Sequence, residues 1–179
     1  YDGDEWQVQR AINNEPFMMK SSSEDSAVLE KQTKLVNRKG NIIDVIMKRS
    51  FEVSNVIEIL KAQNPQNSFA YIVEDEINVL NKVTPEEALL ACWTLEQFDA
   101  SDSTFGFVKI ENPKEAINFD FYEDPSDKIS YKSNGFIYKT DGQKVCQIGI
   151  KKDSNAQFVG FYDLSKNLIC IRDIMGQPE

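Results

Sequence analysis

Hydrophobic positions recur with two different periods along this chain, and the change falls near Phe98. In "SFEVSNVIEILKAQN" (50–64), Phe51, Val56, Ile59 and Leu60 share one side of a helical wheel, while Glu52, Glu58 and Lys61 fall elsewhere. Ser50 is placed to cap that helix and Asn64-Pro65 to end it. In "VTPEEALLACWTLEQF" (83–98), Thr84 stands at an N-cap and Pro85 at the first helical position. Glu86 and Glu87 meet the positive end of the dipole, and an apolar face runs from Leu89 to Phe98, so this is the strongest predicted helix. A shorter helix is expected near Glu24, where Ser21 and Ser22 each precede an acid by three residues. Between these, β-branched runs on either side of Asn37-Arg38-Lys39-Gly40 read as a hairpin, or as a helix end followed by one strand. "SFAYIVEDE" (68–76) reads as a strand with Phe69, Tyr71 and Val73 on one face.

Beyond Phe98 the period is 2. "FGFVKI", "AINFDFY", "KISYKS", "GFIYKT", "KVCQIGIKK", "AQFVGFYD" and "NLICIRDI" follow one another, separated by short turn clusters such as Asp124-Pro125-Ser126 and Ser133-Asn134-Gly135. Short turns join antiparallel neighbours, so the C-terminal half is expected to be a β-meander. The fold class this predicts is α+β, with two or three N-terminal helices packed on one face of a mainly C-terminal antiparallel sheet. Residues 1–23, with scattered apolar anchors at Trp6, Ile12, Phe17 and Met18, read as an N-terminal arm, and 24–179 as a single α+β domain. The aromatic rows Phe105 with Phe107, Phe119 with Phe121, Phe136 with Tyr138, and Phe158 with Tyr162 stand at strand spacing. They are expected to pack under the Leu89–Phe98 helix face, the alternative being a ligand cavity in a curved sheet.

Composition narrows the chemistry. The 179 residues contain no histidine, which removes Ser-His-Asp and Cys-His nucleophilic sites, a histidine general base and the histidine-bearing zinc motifs. No apolar run approaches the ~18 residues of a membrane span. The three cysteines, Cys92, Cys146 and Cys170, lie among apolar neighbours and read as buried reduced thiols, with a Cys146–Cys170 disulfide as the alternative. A start at Tyr1 reads as a processed chain or a trimmed domain. No glycosylation sequon occurs, which leans toward the cytoplasm, with a mature exported chain the other reading.

Net charge is −9, and the middle of the chain carries most of it: residues 51–100 hold nine acids against two bases. Such a surface repels phosphate backbones and suits a basic protein or peptide. The acids expected to meet it are Glu74, Asp75 and Glu76 in one cluster and Asp120, Glu123, Asp124 and Asp127 in "DFYEDPSD". Their spacing is not that of a calcium loop, and no metal, cofactor or catalytic residue is assigned.

One tetrapeptide bears on catalysis. Lys139-Thr140-Asp141-Gly142 resembles the signature around the nucleophilic lysine of polynucleotide ligases and messenger-RNA capping enzymes. The resemblance implies Lys139 as the nucleophile, with Asp141 and Gly142 in its loop. It covers four residues, and the Asp-Gly-Glu expected downstream is absent. The same residues suit a tight turn or three-residue hairpin, in which Gly142 takes positive φ and Asp141 bonds its own backbone, and that reading is preferred. The function expected is therefore a non-catalytic protein-binding module, of inhibitor, immunity or adaptor type, presenting an acidic surface. The alternative is a small-molecule binder or carboxylate-dependent enzyme with an aromatic-lined pocket.

Overall fold

The computed structural model describes residues 8–55, 61, 65, 67–120, 123–144 and 147–173. Strands dominate these residues and helices are reduced to single turns, so the α+β expectation is corrected to a mostly β protein with antiparallel sheets. The chain divides into two compact units, Tyr1–Leu95 and Glu96–Glu179. No described helix is long and apolar enough to cross a membrane.

The N-terminal unit is one antiparallel sheet in the order β1-β2-β3-β4, formed by β1 (Met18–Ser22), β2 (Ser26–Val36), β3 (Ile42–Ser54) and β4 (Ala70–Val79). Register places Leu35 opposite Ile43, Val45 opposite Val79 and Met47 opposite Ile77, all on one face. That face forms a core around Leu35, Ile43 and Val45, completed by Ala11 from the one-turn helix α1 (Arg10–Asn13) and by Val83 and Ala88. The other face carries the cross-strand ion pairs Lys34–Asp44 and Lys48–Glu76. Alternation along the long strands thus separates core from solvent.

Lys31 faces the core side and is 4% exposed. Its ammonium donates to the carbonyls of Ala11, Ile12 and Glu15, closing the C-terminal end of α1, and lies 4.5 Å from the Phe17 ring centroid. Burial pushes its pKa below the ordinary lysine value, against the pull of Glu15.

Three helix expectations meet this sheet. The helix near Glu24 is replaced by the β1–β2 turn, where the Ser23 N–H donates to Ser26 O and the Asp25 N–H to Ser23 Oγ. Serine side chains that bond the adjacent backbone serve a turn as readily as a cap. Phe51–Ser54 of the second helix complete β3, and its remainder, 56–60 and 62–64, lies outside the described residues.

The third helix begins and stops within one turn. Thr84 N–H donates to Glu87 Oε2, while Glu87 and Ala88 N–H both donate to Thr84 O, so the turn starts at Thr84 with the Glu87 half of a capping box. A continuing helix needs Glu86 O and Glu87 O as acceptors for the next turn. Those oxygens are instead taken by Lys39 Nζ and by the Asn37 and Asn41 amides from the β2–β3 turn. Residues 88–100 have no regular structure, and Leu89 and Trp93 are 85% and 76% exposed. Helix stability comes mainly from packing an amphipathic face, which this segment does not do.

The C-terminal unit holds a five-stranded antiparallel sheet in the order β11-β10-β5-β8-β7. Its strands are β5 (Thr104–Lys109), β7 (Ile129–Lys132), β8 (Gly135–Lys139), β10 (Phe158–Asp163) and β11 (Leu168–Asp173); a separate two-stranded ladder joins β6 (Ile117–Asn118) to β9 (Gly149–Ile150). The segments expected as strands are largely strands, but the order is not a meander: β5 lies between β10 and β8. One face packs Val108, Ile129, Phe136 and Tyr138 against Ile110, Ile148, Ile150 and the one-turn helix α2 (Pro113–Ala116) with the residue after it, Ile117. On the same face Phe98 stacks on Phe161, with ring centroids 4.2 Å apart.

Candidate functional site

The other face of the five-stranded sheet belongs to neither hydrophobic core. Registers across β7, β8, β5, β10 and β11 build it as three rows. The middle row runs Ser130, Ile137, Phe107, Gly160, Ile171. A second row runs Lys139, Phe105, Tyr162, Ile169, and the third Lys132, Gly135, Lys109, Phe158, Asp173. Period-2 alternation is what gathers these residues, since each strand contributes every second side chain. Phe105, Phe107, Ile137, Tyr162 and Ile169 line a hollow of about 430 Å³. Phe107 meets Phe158 edge-on at 6.4 Å, and the Lys109 ammonium sits 5.5 Å from the Phe158 ring centroid.

The expectation that the aromatic rows lie under a Leu89–Phe98 helix is therefore corrected. No such helix forms among the described residues, and the rows divide: Phe136 and Tyr138 enter the core, while Phe105, Phe107, Phe158 and Tyr162 lie half-buried on the opposite face. Phe119 is exposed, and Phe121 lies outside the described residues.

The seven predicted acids fall into both units. Glu74, Asp75 and Glu76 are on β4, where alternation splits the triplet. Asp75 points to the core side and accepts two hydrogen bonds from Arg49, at 2.6 and 2.8 Å. That bidentate pair raises the Arg49 pKa. Glu76 pairs with Lys48 at 3.8 Å, and Glu74 is exposed. In the C-terminal unit, Asp127 pairs with Lys144 at 2.8 Å, and Asp124 accepts from Ser126 Oγ and N–H; both carboxyls are held below the usual range by these bonds. Asp120 and Glu123 are exposed, and among the described residues neither they nor Glu74 has an ion pair. Among the described residues no group of three His, Cys, Asp or Glu could hold a metal.

Lys139 ends β8 and donates to Asp102 at 3.1 Å, with Asp141 at 3.5 Å. Asp102 first and Asp141 second raise its pKa, so the amine is held protonated, the opposite of what a nucleophile needs. Gly142 has φ +71° and Gln143 N–H donates to Asp141 Oδ1, so residues 141–142 make the expected bend. It is not a hairpin, because β8 pairs with β5 and β7 while β9 pairs with β6. The sequence reading missed Lys128, whose side chain and that of Asp141 are both buried in a direct ion pair. That pair, with Gln143 N–H, lowers the Asp141 pKa to about 2.

Cys92 is exposed rather than in the core, and its Sγ donates to Asp75 O at 3.5 Å. Desolvation and the Asp75 carboxylate raise its pKa, with Arg49 opposing, so it is not an activated thiolate. Cys170 is a free thiol, and Cys146, its partner in the alternative bridge, lies outside the described residues.

Neither the curated proteins nor the solved structures yield a match to this chain. A family model covers it from residue 1 to residue 177, and the chain accordingly belongs to the family of unknown function DUF6786.

Proposed function

We propose that this chain is a non-catalytic binding module and that its C-terminal unit takes a small apolar molecule on the sheet face opposite its core. The observation that carries the reading is the hollow of about 430 Å³ lined by Phe105, Phe107, Ile137, Tyr162 and Ile169. Its volume falls in the roughly 300–1,000 Å³ range of small-molecule sites, and aromatic walls offer large rigid contact area. Most of the titratable groups described above are tied to partners that suppress proton transfer or nucleophilic attack, which supports binding over catalysis. Titration with the neutral fluorophore N-phenyl-1-naphthylamine tests it. Saturable, one-to-one enhancement that is lost in Tyr162→Ser and Phe105→Ser is expected; a folded protein with no saturable signal contradicts the reading.

A second reading, an acidic surface for a basic partner, is favoured by the net charge of −9 and by Glu74, Asp120 and Glu123, exposed without an ion pair among the described residues. Binding of an oligolysine peptide that weakens steeply with salt and with Glu74→Gln or Asp120→Asn supports it; salt-independent or absent binding counts against it.

A further inference from the structure

The rim of the hollow differs in charge from the chain as a whole. On a protein of net charge −9, the sheet face that bears the hollow carries Lys109, Lys132 and Lys139 against the single carboxylate of Asp173. These lysines are not equivalent. Lys139, in the row of Phe105, is neutralised locally by Asp102 and Asp141. Lys109 and Lys132 stand at the other end, both in register with Gly135, and neither has an ion pair among the described residues. The strands that carry them lie two spacings apart, roughly 9.6 Å at the backbone, with the buried Gly135 between, where a Cβ would stand 2.1 Å from the Val108 carbonyl oxygen. Lys109 already rests on the Phe158 ring, which places its charge beside the apolar surface rather than away from it.

From this arrangement we infer that the occupant of the hollow is an amphipathic anion. Its apolar body lies along Phe105, Phe107 and Tyr162, and its carboxylate meets Lys109, with Lys132 two strands away adding to the positive field. The inference rests on the reading of the hollow as a small-molecule site. From the Lys109 row to the Phe105 row is four residues, on the order of 14 Å, a span comparable with an extended decanoate chain. Asp173 closes the row of Lys109 on β11 and adds a reason for the anion to sit toward β8 and β5.

Calorimetric titration of the whole chain with decanoate, decanol and decyltrimethylammonium at low salt tests this. Decanoate is expected to bind roughly three- to tenfold tighter than decanol. In Lys109→Gln/Lys132→Gln that preference disappears while decanol still saturates the hollow. Equal affinities for decanoate and decanol, or a preference for the ammonium, overturn the anion assignment and leave the hollow standing. Failure of all three to saturate a chain shown to be folded overturns the hollow reading itself.

Discussion

The phenyl ring of Phe107 lies over Gly160, its partner on β10: a Cβ on that glycine would stand 2.2 Å from the ring's Cζ and 2.6 Å from the Cys170 carbonyl oxygen. The glycine's backbone is not left-handed, so space alone demands it. Gly160→Ala is therefore expected to cost about 1–3 kcal/mol through overpacking. It also tilts Phe107 into the hollow, so binding of a neutral apolar probe weakens with stability. Urea midpoints and probe titration on the same samples check both.

Lys31 supports a second prediction. Lys31→Met keeps most of the buried stem but leaves the carbonyls of Ala11, Ile12 and Glu15 without their donor. A loss of about 1–3 kcal/mol in urea unfolding is expected. A neutral effect would mean that α1 closes without this lysine.

The Lys128–Asp141 pair makes stability depend on acid. The folded-state pKa of Asp141, about 2, lies below its ordinary value of 3.8, so its contribution is complete above that value and is lost as pH falls toward 2. Asp124, Asp127 and Asp163 are shifted in the same direction by their own hydrogen bonds, so they add to the loss as pH falls below the ordinary carboxylate value. Unfolding midpoints should fall between about pH 4 and pH 2. Asp141→Asn should be less stable at neutral pH, where Lys128 loses its partner, and show a shallower acid slope.

Incubation with ATP or GTP and Mg²⁺ is expected to leave Lys139 unmodified by mass spectrometry, because Asp102 and Asp141 hold its amine protonated. An adenylyl or guanylyl adduct there would restore the ligase-like reading of Lys139-Thr140-Asp141-Gly142.

Strand positions after Phe98 are readable because alternation and short turns are local signals. Partner order is not: β10 reaches β5 across more than forty residues, and no turn residue encodes that pairing. Thr84 is legible as a helix start and Glu87 does reach back to its N–H, yet the helix this announces is stopped by donors from Asn37, Lys39 and Asn41, far upstream. Glu74-Asp75-Glu76 looks like one cluster on paper, and strand alternation sends its middle member inward to Arg49. Phe105 and Phe107 were legible as sharing a face.

Small-molecule binding on the face of the C-terminal sheet opposite its core is the proposal most open to direct test. Side-chain methyl and aromatic NMR, recorded with and without saturating decanoate, tests it most directly. Shifts are expected to concentrate at Phe105, Phe107, Ile137, Tyr162 and Ile169, with Phe136 and Ile117 on the opposite face unmoved. Shifts centred on that opposite face or on the N-terminal sheet, or none at all, would contradict it.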